Sequence, residues 1–299
     1  MSHCYTLYGL TVCLPISCPF LPEAKHDGEP DVLLVHGAVP KALPDALVTH
    51  DTWETGFCWQ AAPGRFLVKG GRKSGRFLVE DGCRITLQRN PEAVDDLILF
   101  HLFHPVVAAL FRQRGLLTLH ASTVADESGA IILCGESGAG KSTTLTALLK
   151  KGCAMVSDDL TVVRPGGGGC VEALTGPPRM HLCEDAAHRL GFAVEELDRH
   201  PARSSKRAVS AAGGARPVPL QRLCILEHAS GSILHISRLQ GADKLHALMG
   251  CVYGPLFQEE HSGLFALFSA VAEQADIIRI QRPAGRWSVD EVIEAVRNG

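Results

Sequence analysis

The chain has 299 residues, of which 46% are hydrophobic and 20% are charged, with a formal net charge of −3. This composition is typical of a globular protein with a sizeable core, and it excludes wholesale disorder. The slightly acidic balance predicts no nucleic-acid partner, and no apolar run approaches the roughly 18 residues of a membrane helix. No Lys or Arg precedes the apolar stretch at the N-terminus, so we expect no signal peptide and a cytoplasmic protein.

The eleven cysteines are scattered along the chain, without a C-x-x-C pair. Several lie inside apolar runs, which favours buried, reduced thiols in a cytosolic protein over a disulfide framework. Cys13 and Cys18 are the one closely spaced pair, but a metal site needs three or four converging ligands. We therefore expect reduced cysteines and no metal centre built on them.

Residues 1–115 are predicted to form a β-rich accessory region. Strands are expected at residues 31–36, 64–68, 75–79 and 83–87. The second and third of these share the sequence Gly-Arg-Phe-Leu-Val around a Gly-rich polar loop, which predicts a hairpin. Pro91 opens a predicted helix that Pro105 interrupts. His101 and His104 share a face of this helix and are interpreted as packed at its kink rather than as metal ligands.

Residues 116–299 are predicted to form a second domain, and we assign the chain to the α/β class with a mixed α+β sheet. Strands are expected at residues 116–120, 122–125, 130–134, 154–157, 223–227, 233–238 and 277–281. Helices are expected at residues 142–151, 184–198, 243–253, 262–275 and 289–297. Residues 200–216 are polar, basic and small, and are interpreted as a mobile loop. The strands at 223–227 and 233–238 are expected to pair.

Residues 135–142, Gly-Glu-Ser-Gly-Ala-Gly-Lys-Ser, fit the phosphate-binding pattern G-x-x-x-x-G-K-[ST]. They follow a predicted strand and open a predicted helix, as such a P-loop does. Its glycines let backbone N–H groups curl around an anion, and the helix N-terminus adds partial positive charge. Lys141 is predicted to neutralise the outer phosphates of ATP, and Ser142 to bind Mg²⁺. The predicted nucleotide-binding residues here are Gly135, Glu136, Ser137, Gly138, Ala139, Gly140, Lys141, Ser142 and Thr143.

Asp158 and Asp159 end a short apolar strand soon after the P-loop helix. P-loop proteins place a metal-binding aspartate at such a position. One carboxylate could hold Mg²⁺, directly or through water, and the other could accept a proton from an attacking hydroxyl. A turn or helix cap built on aspartate is the alternative. His120, at the end of a strand ahead of the loop, could polarise phosphate or orient the base, although a lone histidine is more often structural.

His120, residues 135–142 and the Ser157-Asp158-Asp159 run resemble the HPr kinase/phosphorylase family in order and spacing. In that family a strand ending His-Gly precedes a G-[DE]-S-G-x-G-K-S loop, and Ala-Asp-Asp follows after one helix and a glycine. The resemblance is strong over residues 116–164. It implies a P-loop core like those of HPr kinase and phosphoenolpyruvate carboxykinase, with ATP and Mg²⁺ as cofactors.

The resemblance also implies site residues. His120, Lys141 and Asp159 would be catalytic, with Asp159 as the proton acceptor, and Ser142 and Asp158 would bind the metal. The chain departs from the HPr kinases that regulate sugar uptake, because their Glu-x-Arg-Gly-x-Gly segment after the aspartate pair is missing. The second metal-binding glutamate is therefore open: Glu172, Glu184 or neither could serve. We therefore do not expect from the resemblance that HPr is the substrate of this chain or that the chain catalyses the reverse phosphorylase reaction.

The rest of the chain is similar, more loosely, to the HPr-kinase-like proteins that accompany ribosomal peptide pathways, notably lasso peptide clusters. The similar positions include Arg179, Lys206-Arg207, Val218-Pro219-Leu220 and the helix region at 239–253. In that group the kinase phosphorylates a serine of a precursor peptide. The resemblance implies that Lys206 and Arg207 hold the transferred phosphate, the latter as a catalytic residue; an exposed basic loop is the alternative.

The sequence thus favours an ATP-dependent serine kinase acting on a protein or precursor peptide, with residues 1–115 as a substrate-binding region. A homo-oligomer is left open. A phosphoenolpyruvate-carboxykinase-like enzyme would need a second metal with Lys and His ligands, which nothing assembles. A transporter ATPase would carry a Leu-Ser-Gly-Gly-Gln signature, which is missing. A nucleotide-binding regulator or ATPase without transfer is the remaining alternative, but binding alone needs only one acid.

Overall fold

The structure is a computed structural model. It describes residues 3–25, 28–50, 58–201, 205–214, 216–254 and 261–298, without the side chains of residues 261 and 262. The chain divides into two units: unit 1 is Met1–Thr118 with Tyr253–Leu264, and unit 2 is Leu119–Val252 with Phe265–Gly299. The first boundary lies slightly beyond residue 115, and unit 1 includes a later segment, Tyr253–Leu264, that falls within the second domain predicted from the sequence.

Unit 1 contains an eight-stranded sheet. Its strands are β1 (His3–Leu7), β2 (Leu10–Leu14), β3 (Val32–His36), β4 (Val48–His50), β5 (Cys58–Ala62), β6 (Arg65–Lys69), β7 (Gly75–Glu80) and β8 (Arg84–Arg89). They lie in the order β1-β2-β3-β8-β7-β6-β5-β4. The predicted hairpin is confirmed, because β6 and β7 pair antiparallel with Phe66 opposite Val79.

The helical segment of unit 1 is interrupted at Pro105 by a π-helical turn, and a second helix follows it, as the sequence predicts. It consists of α1 (Asp95–His101), a π-helical turn (Leu102–Val106) and α2 (Val107–Gln113). The wider turn accommodates a proline, which has no N–H to donate. His101 Nδ1 lies 2.6 Å from the Leu97 carbonyl oxygen, and His104 Nδ1 lies 2.6 Å from that of Phe100. Both histidines therefore make local contacts within the helix, in agreement with the structural interpretation.

Cys4 and Cys13 form a disulfide, so the expectation of uniformly reduced cysteines is wrong for this pair. The two residues are directly opposite in the antiparallel pairing of β1 and β2, with Cα atoms 4.1 Å apart. All cysteines lie in the described part of the chain, and the other nine form no disulfide. Cys18, the closer neighbour of Cys13 in sequence, is buried, and that burial raises the pKa of its thiol to about 12.

Unit 2 is built on a mixed sheet. Its strands are β9 (Leu117–Leu119), β10 (Ala121–Asp126), β11 (Gly129–Gly135), β12 (Ala154–Ser157), β13 (Thr161–Pro165), β14 (Val171–Leu174), β18 (Val218–Ala229), β19 (His235–Arg238) and β20 (Asp276–Pro283). The chain passes from unit 1 to unit 2 within β9. The order is β12-β10-β11-β18-β14-β13-β9, with β20 beside β18 and β19 beside β20. Strand β18 runs parallel to β11 and β20, whereas β10 pairs antiparallel with β11. The predicted α/β class with a mixed sheet is confirmed.

One predicted strand pair is wrong. β19 pairs with β20 and not with β18, because β18 is flanked along its length by β11 and β20. The strand that follows β18 in sequence is therefore left at the edge of the sheet.

A small second sheet contains β15 (Arg179–Cys183), β16 (Asp198–Arg199) and β17 (Lys206–Ser210), with β17 in the middle. This corrects two expectations. The helix predicted at 184–198 ends at Arg189, and the predicted mobile loop at 200–216 contains β17; residues 202–204 and 215 lie outside the described residues. Ala208 and Val209 are buried on pairing with β15, so this strand depends on its partner rather than on local propensity.

The helices of unit 2 are α3 (Lys141–Lys150), α4 (Glu184–Arg189), α5 (Ala242–Met249), α6 (His261–Gln274) and α7 (Val289–Asn298), with 3₁₀ turns at Gly167–Gly169 and Val194–Glu196. A core cluster joins the P-loop strand and helix to their neighbours; its members include Ile131, Leu133, Leu145, Leu148, Leu226, Ile280, Val292 and Val296. This packing holds the carboxyl end of β11 against the start of α3. Among the described residues, no helix is long and apolar enough to cross a membrane.

Candidate active site

The loop between β11 and α3 is shaped by glycines with positive φ angles. Gly138 and Gly140 have φ angles of 88° and 99°, in the left-handed region that glycine adopts without strain. A Cβ at Gly135 would lie 2.3 Å from the carbonyl oxygen of Leu226 in β18, so the loop begins where only glycine fits. The helix α3 starts at Lys141, and its first N–H groups have no partner within the helix.

Lys141 lies on this loop. Its Nζ donates hydrogen bonds to the carbonyl oxygens of Gly135 at 2.8 Å and Glu136 at 3.1 Å. Burial lowers the pKa of Lys141 below its usual range, and the charges of Asp159 and Asp158 oppose that shift. A cationic side chain is therefore held beside the loop within the field of two carboxylates.

Asp158 is buried and accepts hydrogen bonds from three directions. Its Oδ1 accepts from the hydroxyls of Ser122 at 2.5 Å and Ser142 at 3.0 Å. Its Oδ2 accepts from the backbone N–H of His181 at 3.0 Å. Burial raises the pKa of Asp158, and the neighbouring charge of Asp159 raises it further. The P-loop serine and the first aspartate of the pair are thus in direct contact.

Asp159 adopts the left-handed conformation, with φ 64°. Its Oδ2 lies 3.6 Å from Nδ1 of His181. Asp158, Asp159 and His181 each offer one ligand atom within 4.8 Å of the others. Carboxylate and hydroxyl oxygens are the ligands that Mg²⁺ prefers, and two adjacent carboxylates withdrawn from water favour a divalent cation between them. Ser142 Oγ, 3.0 Å from Asp158 Oδ1, adds a hydroxyl oxygen beside these carboxylates, so the donor set at this position fits Mg²⁺.

His181 is a site residue that was not predicted from the sequence. It lies in β15 opposite Ala208 of β17, and its ring packs edge-on against that of His200 with centroids 4.5 Å apart. A polar residue alternating with Met180 and Leu182 is consistent with a half-buried strand, but nothing in that spacing indicates that the strand runs beside the aspartates.

His120 lies between β9 and β10, and its backbone N–H donates to the carbonyl oxygen of Cys251 at 2.8 Å. Its neighbour Ala121 is opposite Cys134, the residue before Gly135, so the backbone at His120 lies beside the start of the loop. The register of β10 and β11 therefore brings His120 toward the P-loop. The catalytic role of His120 stays a prediction.

Lys206 and Arg207 lie in β17, opposite Cys183 and Leu182. The charge of Lys206 contributes to lowering the pKa of Lys141. Arg207 is 9% exposed and forms an ion pair with Glu184. The interpretation of this segment as an exposed basic loop is thus wrong, and the phosphate-holding role stays a prediction.

The structure does not bring either candidate glutamate into the carboxylate cluster. Glu184 is engaged by Arg207, and Glu172, in β14, pairs with Arg164 at 3.3 Å. Neither belongs to the group of potential metal ligands found among the described residues, which is Asp158, Asp159 and His181.

Arg282, at the end of β20, contacts the P-loop and was also missed. Its Nε donates to the Ala139 carbonyl oxygen at 2.9 Å and its Nη2 to that of Gly138 at 3.2 Å. His228 Nε2, from the end of β18, lies 3.2 Å from both Gly138 O and Arg282 Nη2. Burial lowers the pKa of Arg282. Arg282 binds carbonyl oxygens of the loop. It therefore favours the loop orientation in which the backbone N–H groups of the loop face an anion.

Comparison with known proteins finds no matching family model and no matching curated protein. Among solved structures, the chain is similar to the HPr(Ser) kinase/phosphatase from Coxiella burnetii, at 12% sequence identity and a TM-score of 0.28. The match covers 60% of this chain and 88% of that one. A likeness at this level carries no argument about activity, so the function is argued from the site.

Proposed function

We propose that the chain is an ATP-dependent kinase that transfers phosphate to a serine hydroxyl of a protein or ribosomal precursor peptide. The observation that carries this proposal is the 3.0 Å hydrogen bond between Ser142 Oγ and Asp158 Oδ1. This hydrogen bond joins the last residue of the P-loop to a pair of carboxylates. Nucleotide binding alone requires only one carboxylate, so the second is available for phosphate transfer.

In the proposed reaction the loop N–H groups bind the phosphates of ATP, and Lys141 transfers its hydrogen bonds from the loop carbonyls to the outer phosphates. Ser142 and Asp158 would hold Mg²⁺, which supplies neutralisation of phosphate charge when bound. Asp159 accepts the proton of the serine hydroxyl as the serine oxygen bonds to the γ-phosphorus and the bond to the β-phosphate oxygen breaks, releasing ADP. His181 orients the Asp159 carboxylate through its ring.

The acceptor is the finer part of the proposal. A serine of a precursor peptide, of the kind made in lasso peptide pathways, is supported by the looser sequence resemblance. Lys206, whose charge acts on Lys141, is proposed to hold the transferred phosphate. Unit 1 is proposed as the substrate-binding region.

The test is incubation with ATP, Mg²⁺ and a candidate precursor peptide encoded beside the gene, followed by mass spectrometry. We expect a mass gain of one phosphate that maps to a serine. Lys141→Ala should abolish the gain, because it removes the cation on the phosphates. Asp159→Asn should also abolish it but leave ATP binding measurable, since it removes the base and not the cradle.

Retained transfer in Asp159→Asn would contradict the role given to that residue. Loss of ATP binding in the same variant would instead assign Asp159 to the metal. ATP binding or slow hydrolysis without transfer to peptide or small hydroxyl acceptors would favour the nucleotide-binding regulator or ATPase.

A further inference from the structure

A cavity of about 320 Å³ lies beside the P-loop within unit 2. Gly138, Gly140 and the first turn of α3 at Thr143 and Thr144 form part of its lining. The rest comes from Cys183 at the end of β15, from α4, from the end of β20 and the turn after it, and from the start of α7. The lining residues do not include Asp158, Asp159 or His181, so the cavity is separate from the carboxylates.

We propose that this cavity receives the nucleoside end of the triphosphate, with the base stacked on Trp287. The inference rests on the proposed function, which places the reacting phosphate near Ser142 and Asp158. The nucleoside must then extend away from Ser142 and Asp158. The cavity begins at Gly138, Gly140 and Thr143, so it can receive that part of the ligand. Its volume lies at the lower end of the range, about 300–1,000 Å³, that is usual for small-molecule sites.

Trp287 provides the stacking surface. The indole is 36% exposed, which is unusual for so large an aromatic side chain. The guanidinium of Arg189 lies over one face of the indole, 5.1 Å from the ring centre, and Arg189 Nε donates to Asp185 Oδ1 at 3.1 Å. Arg189 covers that face, so the base would stack on the opposite face of Trp287. Aromatic rings are surfaces on which proteins stack nucleobases.

Ser288 provides an independent sign of a ligand. It is 2% exposed and lines the cavity, yet its Oγ has no hydrogen-bond partner among the described residues. Buried hydroxyls are rarely left without a partner, so an unpaired one in a cavity wall indicates an absent polar group. The Oγ has almost no accessible surface in the structure, so a ring nitrogen or a ribose hydroxyl would reach it after a change of the Ser288 rotamer.

The charges along the cavity fit the same ligand. Arg282 lines the cavity and also contacts the loop, so it places positive charge where a phosphate joins the nucleoside. The charge of Arg189 is balanced by Asp185, which lines the cavity as well. Arg286 is engaged by both carboxylate oxygens of Glu291, at 2.6 and 2.8 Å, and closes the wall rather than binding phosphate.

The test compares two ligands by calorimetric titration in the presence of Mg²⁺: ATP, and inorganic tripolyphosphate, which lacks the nucleoside. Trp287→Ala should weaken ATP binding about tenfold, in line with the loss of one base–aromatic stack. It should leave tripolyphosphate binding unchanged. Trp287→Phe, which keeps an aromatic face, should retain most of the ATP affinity, and Ser288→Ala should weaken ATP but not tripolyphosphate.

Tryptophan fluorescence supplies the matched control. A change on adding ATP should disappear in Trp287→Phe and persist in Trp59→Phe, because Trp59 lies in β5 of unit 1. Equal effects of Trp287→Ala on both ligands, or an effect on neither, would overturn the inference. The proposed function would then still stand if Lys141→Ala weakens the binding of both ligands. Unchanged ATP binding in Lys141→Ala would overturn the proposed function instead.

Discussion

At the scale of single residues, the backbone of Asp159 separates the roles of two adjacent acids. Its φ of 64° lies in the left-handed region, which asparagine and aspartate tolerate better than other residues with a side chain. Asp158 directs its oxygens to two serine hydroxyls and a backbone N–H, whereas Asp159 lies against the ring of His181. The two neighbours in sequence therefore have different surroundings.

This conformation predicts a difference between two substitutions. Asp159→Ala should lower the free energy of unfolding by about 1 kcal/mol more than Asp159→Asn, because alanine is strained in the left-handed region and asparagine is not. Both variants remove the same charge beside Asp158, so charge does not contribute to the difference, although alanine also loses the side-chain contact with the His181 ring. Urea denaturation of the two proteins measures it, and equal stabilities would show that the turn does not impose this conformation.

At the scale of elements, the strand–loop–helix unit of β11 and α3 depends on its neighbour β18. Gly135 is opposite Leu226 in the parallel register of these strands. Gly138 differs, because a Cβ there would meet no atom within 4 Å. The two glycines thus serve different purposes: the first allows close approach of two strands, and the second provides a left-handed turn.

Gly135→Ala should therefore be the more damaging of two matched substitutions. The added Cβ would clash with the Leu226 carbonyl oxygen, and the strands would have to separate, which typically costs about 2–3 kcal/mol. Gly138→Ala should cost about 1 kcal/mol, from its positive φ alone. Urea denaturation compares the two variants, and a larger loss in Gly138→Ala would contradict the strand contact.

The elements also show where propensity was a poor guide. The segment around Lys206 and Arg207 is small, polar and basic, which favours a loop by composition. It forms β17 because β15 and β16 pair with both of its edges. Pairing partners distant in sequence overrode local preference at this point.

At the scale of the whole molecule, the chain does not divide linearly. Unit 1 includes Tyr253–Leu264 as well as the N-terminal region. Tyr253 donates its N–H to the Thr118 carbonyl oxygen at 2.9 Å, and the Thr118 hydroxyl donates to the Tyr253 carbonyl oxygen at 3.0 Å. These two hydrogen bonds, between residues far apart in sequence, join the returning segment to the end of the N-terminal region.

The Cys4–Cys13 disulfide should stabilise unit 1 by constraining its unfolded state. For a loop of this size, the double substitution Cys4→Ser and Cys13→Ser is expected to lower the free energy of unfolding by about 2.5 kcal/mol. Thermal unfolding measures the change, with Cys83→Ser, an exposed free thiol of unit 1, as the control. ATP binding, which the proposal assigns to unit 2, should be unaffected. Identical unfolding of the double variant and the control would contradict this stabilising role.

The contiguous parts of the candidate site can be predicted from the sequence: the loop at residues 135–142 and the pair Asp158 and Asp159. Their chemistry and their strand and helix flanks are encoded within a short window, which local patterns report well. The tertiary structure alone decided which residues surround them. Arg282 reaches Ala139 across 143 positions, and the His181 N–H reaches Asp158 across 23. Such contacts depend on strand order and register, which follow from packing of the whole sheet and leave no signal in the spacing of the residues that meet.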